Sequence, residues 1–231
     1  MIAGVTCDSN FKHLKKPMAS KKFPTTVYAE MTPNPATMKF VVDRKLVSGL
    51  HQLDFHNVKE AMVCSPLAAE LFNFPFVVGV FISGEIVSVT KDESLGWEMI
   101  VMQLREYIRE WLVDNEFAVE EDKISELSEL DISFDPNVKA AVTKEKLIES
   151  EGLSASEHDK QIGELLNEFV RPAVEQDGGA IDFIGFKDGV VYVQLRGACA
   201  GCPSSTETLK GGIETLLASK IEAVTEVVAT S

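Results

Sequence analysis

Apolar positions follow two rhythms along this chain, one of period two and one of helical spacing. Met38-Lys39-Phe40-Val41-Val42 follows the turn-rich Thr32-Pro33-Asn34-Pro35 and predicts a strand. Val77 to Phe81 and Ile86 to Val89 flank Ser83-Gly84-Glu85, the signature of a hairpin. Trp97, Ile100, Val101, Leu104, Ile108, Trp111 and Leu112 recur at helical spacing on one broad face, which assigns these aromatics to a core and not to a binding box. After a polar interval the pattern resumes. Ser154-Ala155-Ser156-Glu157 fits a capping box ahead of a stripe formed by Ile162, Leu165, Leu166, Phe169 and Val170. Pro172 should kink or end that helix, and Asp177-Gly178-Gly179 should stop it. Ile181 to Phe186 and Val190 to Leu195 are expected strands joined across Asp188-Gly189, a strong hairpin signal. A further helix is expected from about Ser205, with Leu209, Ile213, Leu216 and Leu217 on one face, and Ala223 to Val228 can add a third strand. The fold class is therefore α+β, with two small α+β domains joined by an acidic linker.

Composition refines this picture. A chain of 231 residues accommodates two small domains, each with its own core. Its 36 acidic against 22 basic side chains, a net charge of −14, argue against nucleic acid or an anionic membrane as principal partner. No apolar run approaches the roughly 18 residues of a membrane span. Four cysteines are too few for a disulfide-stapled secreted scaffold. The charge is unevenly spread: residues 114–160 hold 14 acidic and 5 basic side chains. The stretch from Asp114 to Asp135, around Glu120-Glu121-Asp122, lacks a sustained apolar face and reads as a solvated linker, with short helical turns expected around Val138 to Ile148. Residues 1–24 carry five lysines against Asp8 alone, with no arginine and no apolar h-region, so they are not a secretory signal. They read as a disordered arm, with translation starting at Met18, or as a cleaved organellar leader.

Chemistry concentrates in Gly197-Ala198-Cys199-Ala200-Gly201-Cys202-Pro203. Two thiols three residues apart can converge on one metal or one disulfide. Ser204 with Glu207 forms another capping box, placing Cys202 just ahead of a helix whose positive end favours the metal-ligating thiolate. The small flanking residues should let an inorganic core approach and leave amide N–H groups free to face its sulfides. No acidic residue occurs from Gly189 through Thr206. Three readings compete. A redox dithiol needs C-x-x-C opening a helix after a strand, which local order permits, although the domain is too short for a thioredoxin core. Structural zinc wants four ligands, whereas Cys7, Cys64 and His158 are remote in sequence. An iron–sulfur cluster also wants four thiolates, which two chains could supply together.

The run Arg171-Pro172, Asp177-Gly178-Gly179, Gly197 through Ser205, Thr208-Leu209-Lys210 and Gly212-Ile213-Glu214 resembles the NifU C-terminal (Nfu) domain across residues 155–229. Thr32-Pro33-Asn34-Pro35, Met38-Lys39-Phe40, Ser65-Pro66-Leu67-Ala68, Gly79-Val80-Phe81 and Trp97 likewise resemble the Nfu N-terminal domain. Charge sets apart a leader or arm at 1–24 and the linker at 114–153, and the resemblance implies an N-terminal domain at 25–113 and a cluster-binding domain at 154–231. It implies assembly or delivery of iron–sulfur clusters, 4Fe–4S by family habit, to apoproteins, alongside upstream assembly machinery. Cys199 and Cys202 are the implied cluster and metal ligands. The cluster would be shared between two chains, so the protein would dimerise on loading. Two ligands per chain fit a 2Fe–2S cluster equally well. Binding and transfer without enzymatic turnover is the expectation, in a bacterial cytoplasm unless residues 1–24 are a cleaved leader. A dithiol oxidoreductase cycling Cys199 and Cys202 is the alternative, and a zinc-stabilised module a third.

The remaining candidates carry blander expectations. Cys64 is expected to be a buried small residue, and His51 and His56 structural or surface groups. Gly178 and Gly179 should serve a backbone turn, and Gly211 and Gly212 close helix packing. Ala180 stands where the family often has an acidic residue, which puts a surface contact in doubt.

Overall fold

The computed structural model describes residues 22–49, 51–127, 152–200 and 203–230. In the first domain, strands β1 (Val27–Met31), β2 (Thr37–Val42), β3 (Gln52–Phe55), β4 (Val77–Ser83) and β5 (Ile86–Lys91) form one antiparallel sheet in the order β1-β2-β5-β4-β3. Alternation decides its faces. Phe40, Val42, Leu53, Phe55, Val80, Ile82, Val87 and Val89 point to one side and join the core beneath helices α1 (Val58–Cys64), α2 (Pro66–Leu71) and α3 (Trp97–Asp114). Lys39, Ser88, Phe81 and Asp54 point to the other. They are neighbours in register across four strands, Lys39 opposite Ser88, Ser88 opposite Phe81 and Phe81 opposite Asp54. Neighbouring strands lie about 4.8 Å apart, so these residues make one transverse row on the sheet face that bears no helix of this domain. Gly84 adopts φ 55° in the β4–β5 turn, as the hairpin signature requires.

The opening of the acidic segment does not behave as a linker. Ala118 and Val119 are buried in the first core, the Ala118 amide donates to Leu46 O, and the Glu120 amide donates to Cys64 O. A 3-10 turn at Glu121–Lys123 and the short helix α4 (Ile124–Leu127) follow, with Ile124 and Leu127 packed on the same core. Two consecutive buried residues, Ala118-Val119, anchor the segment without producing any periodicity, while Phe117 is exposed. The turns expected around Val138 to Ile148 lie outside the described residues, as do residues 1–21.

Ser65 ties these parts together. Its hydroxyl accepts from the Ala68 amide at 3.2 Å as the N-cap of α2 and donates to Ala118 O at 2.8 Å. Ser65→Ala should therefore cost about 2 kcal/mol, a cap plus an orphaned buried carbonyl. Urea denaturation at constant m-value is the check.

The second domain runs α5 (Asp159–Leu165), a π-helical turn (Leu166–Val170), α6 (Arg171–Gln176), β6 (Gly179–Lys187), β7 (Val190–Gly197), α7 (Pro203–Lys220) and β8 (Glu226–Thr230). β6 and β7 form a hairpin through Asp188 (φ 50°) and Gly189 (φ 88°), and β8 lies parallel to β7 after the α7 crossover. The capping box sits two residues later than expected: the Ser156 amide donates to Asp159 Oδ2, and Ser156 Oγ accepts from the His158 amide. The buried stripe is Ile162, Leu166, Val170 and Val174, one residue in every four. Such a stripe drifts by about 40° per step around an ideal α-helix. The π turn absorbs the drift, with the Arg171 amide bonding Leu166 O, five residues back, just ahead of Pro172. The helix thus widens and continues where it was expected to kink or end. Phe169, expected in the stripe, is half exposed. The described helices include none long and apolar enough to cross a membrane.

Candidate functional site

β7 delivers the cysteine loop to the edge of the second core. Gly197 ends the strand with φ 62°, a conformation that favours glycine, and the chain turns back so that the Ala198 amide donates to Gly178 O and the Ala200 amide to Gly197 O. Those two amides are therefore committed to the backbone, contrary to the expectation that they stay free for sulfides. Cys199 is 8% exposed and belongs to the second core. Its carbonyl accepts from Thr206 Oγ1 at 3.5 Å, near the start of α7. Burial first, and the Asp177 carboxylate second, push its thiol up to about 11. The thiolate expected at the helix terminus is that of Cys202, not Cys199. Cys202 and Gly201 lie outside the described residues, and Cys7 does too.

Gly179 is a site residue that the sequence disguised as a turn residue. A Cβ there would lie 2.8 Å from Cys199 Sγ, 2.7 Å from Arg196 O and 3.0 Å from the Cys199 amide nitrogen. Only a bare α-carbon lets β6 pass so close to the thiol. Cys199 borders a cavity of about 610 Å³ between α6 and α7, lined also by Phe169, Val174, Asp177, Leu209, Gly212 and Ile213, with Pro33 of the first domain at one side. A Cβ at Gly211 or Gly212 would meet nothing within 4 Å, so these glycines do not serve tight packing; Gly212 instead widens the cavity wall. Ala180 is fully buried, which leaves no surface position there for an acidic side chain.

Among the described residues, Cys64 and the histidines do not line this cavity. Cys64 is fully buried in the first core, and burial, with a contribution from Glu120, pushes its thiol up to about 11. At pH 8 only about one such thiol in a thousand is ionised. Iodoacetamide should leave Cys64 unmodified in the native protein at pH 8 and alkylate it fully in urea, as peptide mass spectrometry would show. His158 stacks edge-on to Phe186 with ring centroids 5.3 Å apart, and the His56 amide bonds Glu60. Among the described residues there is no cluster of three His, Cys, Asp or Glu able to hold a metal. A closed four-ligand zinc site within these residues is thus not formed. A thiol beside a bare glycine α-carbon, at the edge of an apolar cavity, does suit a bulky sulfur-bridged cargo whose remaining ligands come from elsewhere.

Fold and site together define a two-domain α+β protein whose second domain presents a glycine-flanked cysteine loop. The chain belongs to the Nfu-type NifU-like family. Residues 27–115 match the model of the scaffold protein Nfu/NifU N terminal, and residues 162–228 match the NifU-like domain. It is 34% identical to NifU-like protein 4, mitochondrial, of Arabidopsis thaliana, over 83% of this chain and 61% of that protein. It is 29% identical to the NFU1 iron-sulfur cluster scaffold homolog, mitochondrial, of Drosophila virilis, over 83% of this chain and 57% of that one. The chain thus spans about three-fifths of the length of these curated relatives. The solution structure of a NifU-like protein from Saccharomyces cerevisiae superimposes with a TM-score of 0.39 at 19% identity, covering 50% of this chain and 99% of that one.

Proposed function

We propose that this protein is an iron–sulfur cluster scaffold or carrier that binds a labile cluster through Cys199 and Cys202 and passes it to apoproteins. The observation that carries this reading is Cys199 itself, held beside Gly179 at the edge of an apolar cavity, within the segment that matches the NifU-like domain. Two thiolates from each of two chains would complete the four ligands of a cluster, 4Fe–4S in this proposal, so loading and dimerisation occur together. Release needs no turnover chemistry: an incoming thiolate of the recipient replaces a ligand thiolate, and the cluster moves with the exchange. We therefore propose binding and transfer in place of enzymatic catalysis, with apo iron–sulfur proteins and the assembly machinery as partners. The names of the relatives favour an organellar address over the bacterial cytoplasm expected from the sequence.

The redox-dithiol alternative would cycle the same two thiols, Cys199 and Cys202, through a disulfide. Anaerobic incubation of the apoprotein with iron and sulfide, followed by absorption and iron analysis, tests the proposal. A coloured protein with about four iron atoms per two chains supports it. A colourless protein that instead reduces disulfides catalytically would replace it with the redox reading.

A further inference from the structure

The helix-free face of the first-domain sheet is covered by the second domain, by the two glycine turns beside Cys199 and by Glu175 and Arg196, which bond Gln52. Each member of the transverse row engages one of the two turns. Lys39 Nζ donates to Gln176 O at 2.6 Å and Ser88 Oγ to Gly178 O at 2.7 Å. Asp54 Oδ2 accepts the Gly197 amide at 3.0 Å, and a Cβ on Gly197 would lie 2.8 Å from the Phe81 ring. Lys39, Phe81 and Ser88 are only 8%, 2% and 1% exposed, yet Phe81 belongs to neither hydrophobic core. Its burial comes from the contact between domains. Asn34, 3% exposed, adds a further contact by donating from Nδ2 to Ala200 O at 3.1 Å, directly on the cysteine loop.

We propose that this row is a docking surface for the cysteine loop, and that docking holds the protein in a closed state that must open before a second copy can share a cluster. Apart from the Phe81 ring, the contacts of this row and of Asn34 are single hydrogen bonds to backbone atoms of the two turns and the loop, which suits a face that releases its occupant. They are also placed where a second chain's thiolates would have to arrive, since Asn34 grips the loop and Pro33 stands at the cavity beside Cys199. The gating half of this inference rests on the carrier reading above; the docking half does not.

The test uses the full-length apoprotein, reduced, with Ser88→Glu and Asp54→Ala as opening variants and Met99→Glu, on the exposed outer side of α3, as control. Ser88 and Asp54 point away from the first core, so neither change removes core packing. Iodoacetamide alkylation of Cys199, read by peptide mass spectrometry, should rise about tenfold in Ser88→Glu and by several-fold in Asp54→Ala, with the control unchanged. Solution scattering should show a larger radius of gyration in the same two variants. Anaerobic cluster uptake should be faster in both, reaching the same endpoint as wild type. Equal alkylation and equal radii across all four proteins would overturn the docked state. Faster alkylation with unchanged uptake would overturn the gate while leaving the docking in place. Absence of uptake in every protein, wild type included, would refute the carrier reading and with it the gate, while alkylation would still decide docking.

Discussion

Gly179→Ala should abolish stable cluster retention while leaving the first domain folded. The added methyl would stand 2.7 Å from a backbone oxygen, 2.8 Å from Cys199 Sγ and 3.0 Å from a backbone nitrogen. Two of these three atoms are main chain, at the end of β7 and in the loop after it, so the strain cannot be relieved by turning one flexible side chain. Overpacking of this kind costs about 1–3 kcal/mol, and the readily displaced group is the thiol. The measurement is iron and sulfide bound after anaerobic reconstitution and desalting, with circular dichroism to establish the fold. Retention at the wild-type level would mean that the close approach of β6 to Cys199 has no bearing on the cargo.

The largest stability effect is expected at Phe40. It is fully buried in β2, which lies between β1 and β5, and it packs beneath the helices of the first domain. Phe40→Ala removes a ring from the middle of that core and should cost about 3–5 kcal/mol. The two domains have separate cores, so calorimetry should show one transition moved down and a second one closer to its original position. A single transition displaced as a whole would show instead that the interdomain contact couples the two into one cooperative unit.

What could be read from the residues is local. The Asp188-Gly189 and Gly84 turns, the Trp97–Leu112 face and the order of elements in the second domain follow from short-range chemistry, and the structure has them. The cysteine motif was also legible, because its spacing and small neighbours are contiguous. The expectations that gave way depend on distant partners. β1 and β3 are short edge strands with little pattern of their own. The Ala118-Val119 anchor is too brief to register against its acidic surroundings. The row of Lys39, Ser88, Phe81 and Asp54 is invisible in sequence because four strands contribute one residue each, and only the register brings them together. The β6–β7 register, with Gly179 opposite Gly197, sets the Asp177–Gly179 turn against the cysteine loop, and Asn34 reaches the same loop at Ala200 O.

The most direct test of the central claim is native mass spectrometry of the full chain after anaerobic incubation with iron and sulfide, comparing wild type with Cys199→Ala and Cys202→Ala. The account predicts a dimer heavier than two chains by the mass of one cluster, present in wild type and missing in both variants. A metal-free monomer in wild type, or a loaded dimer that survives the loss of either cysteine, would contradict it.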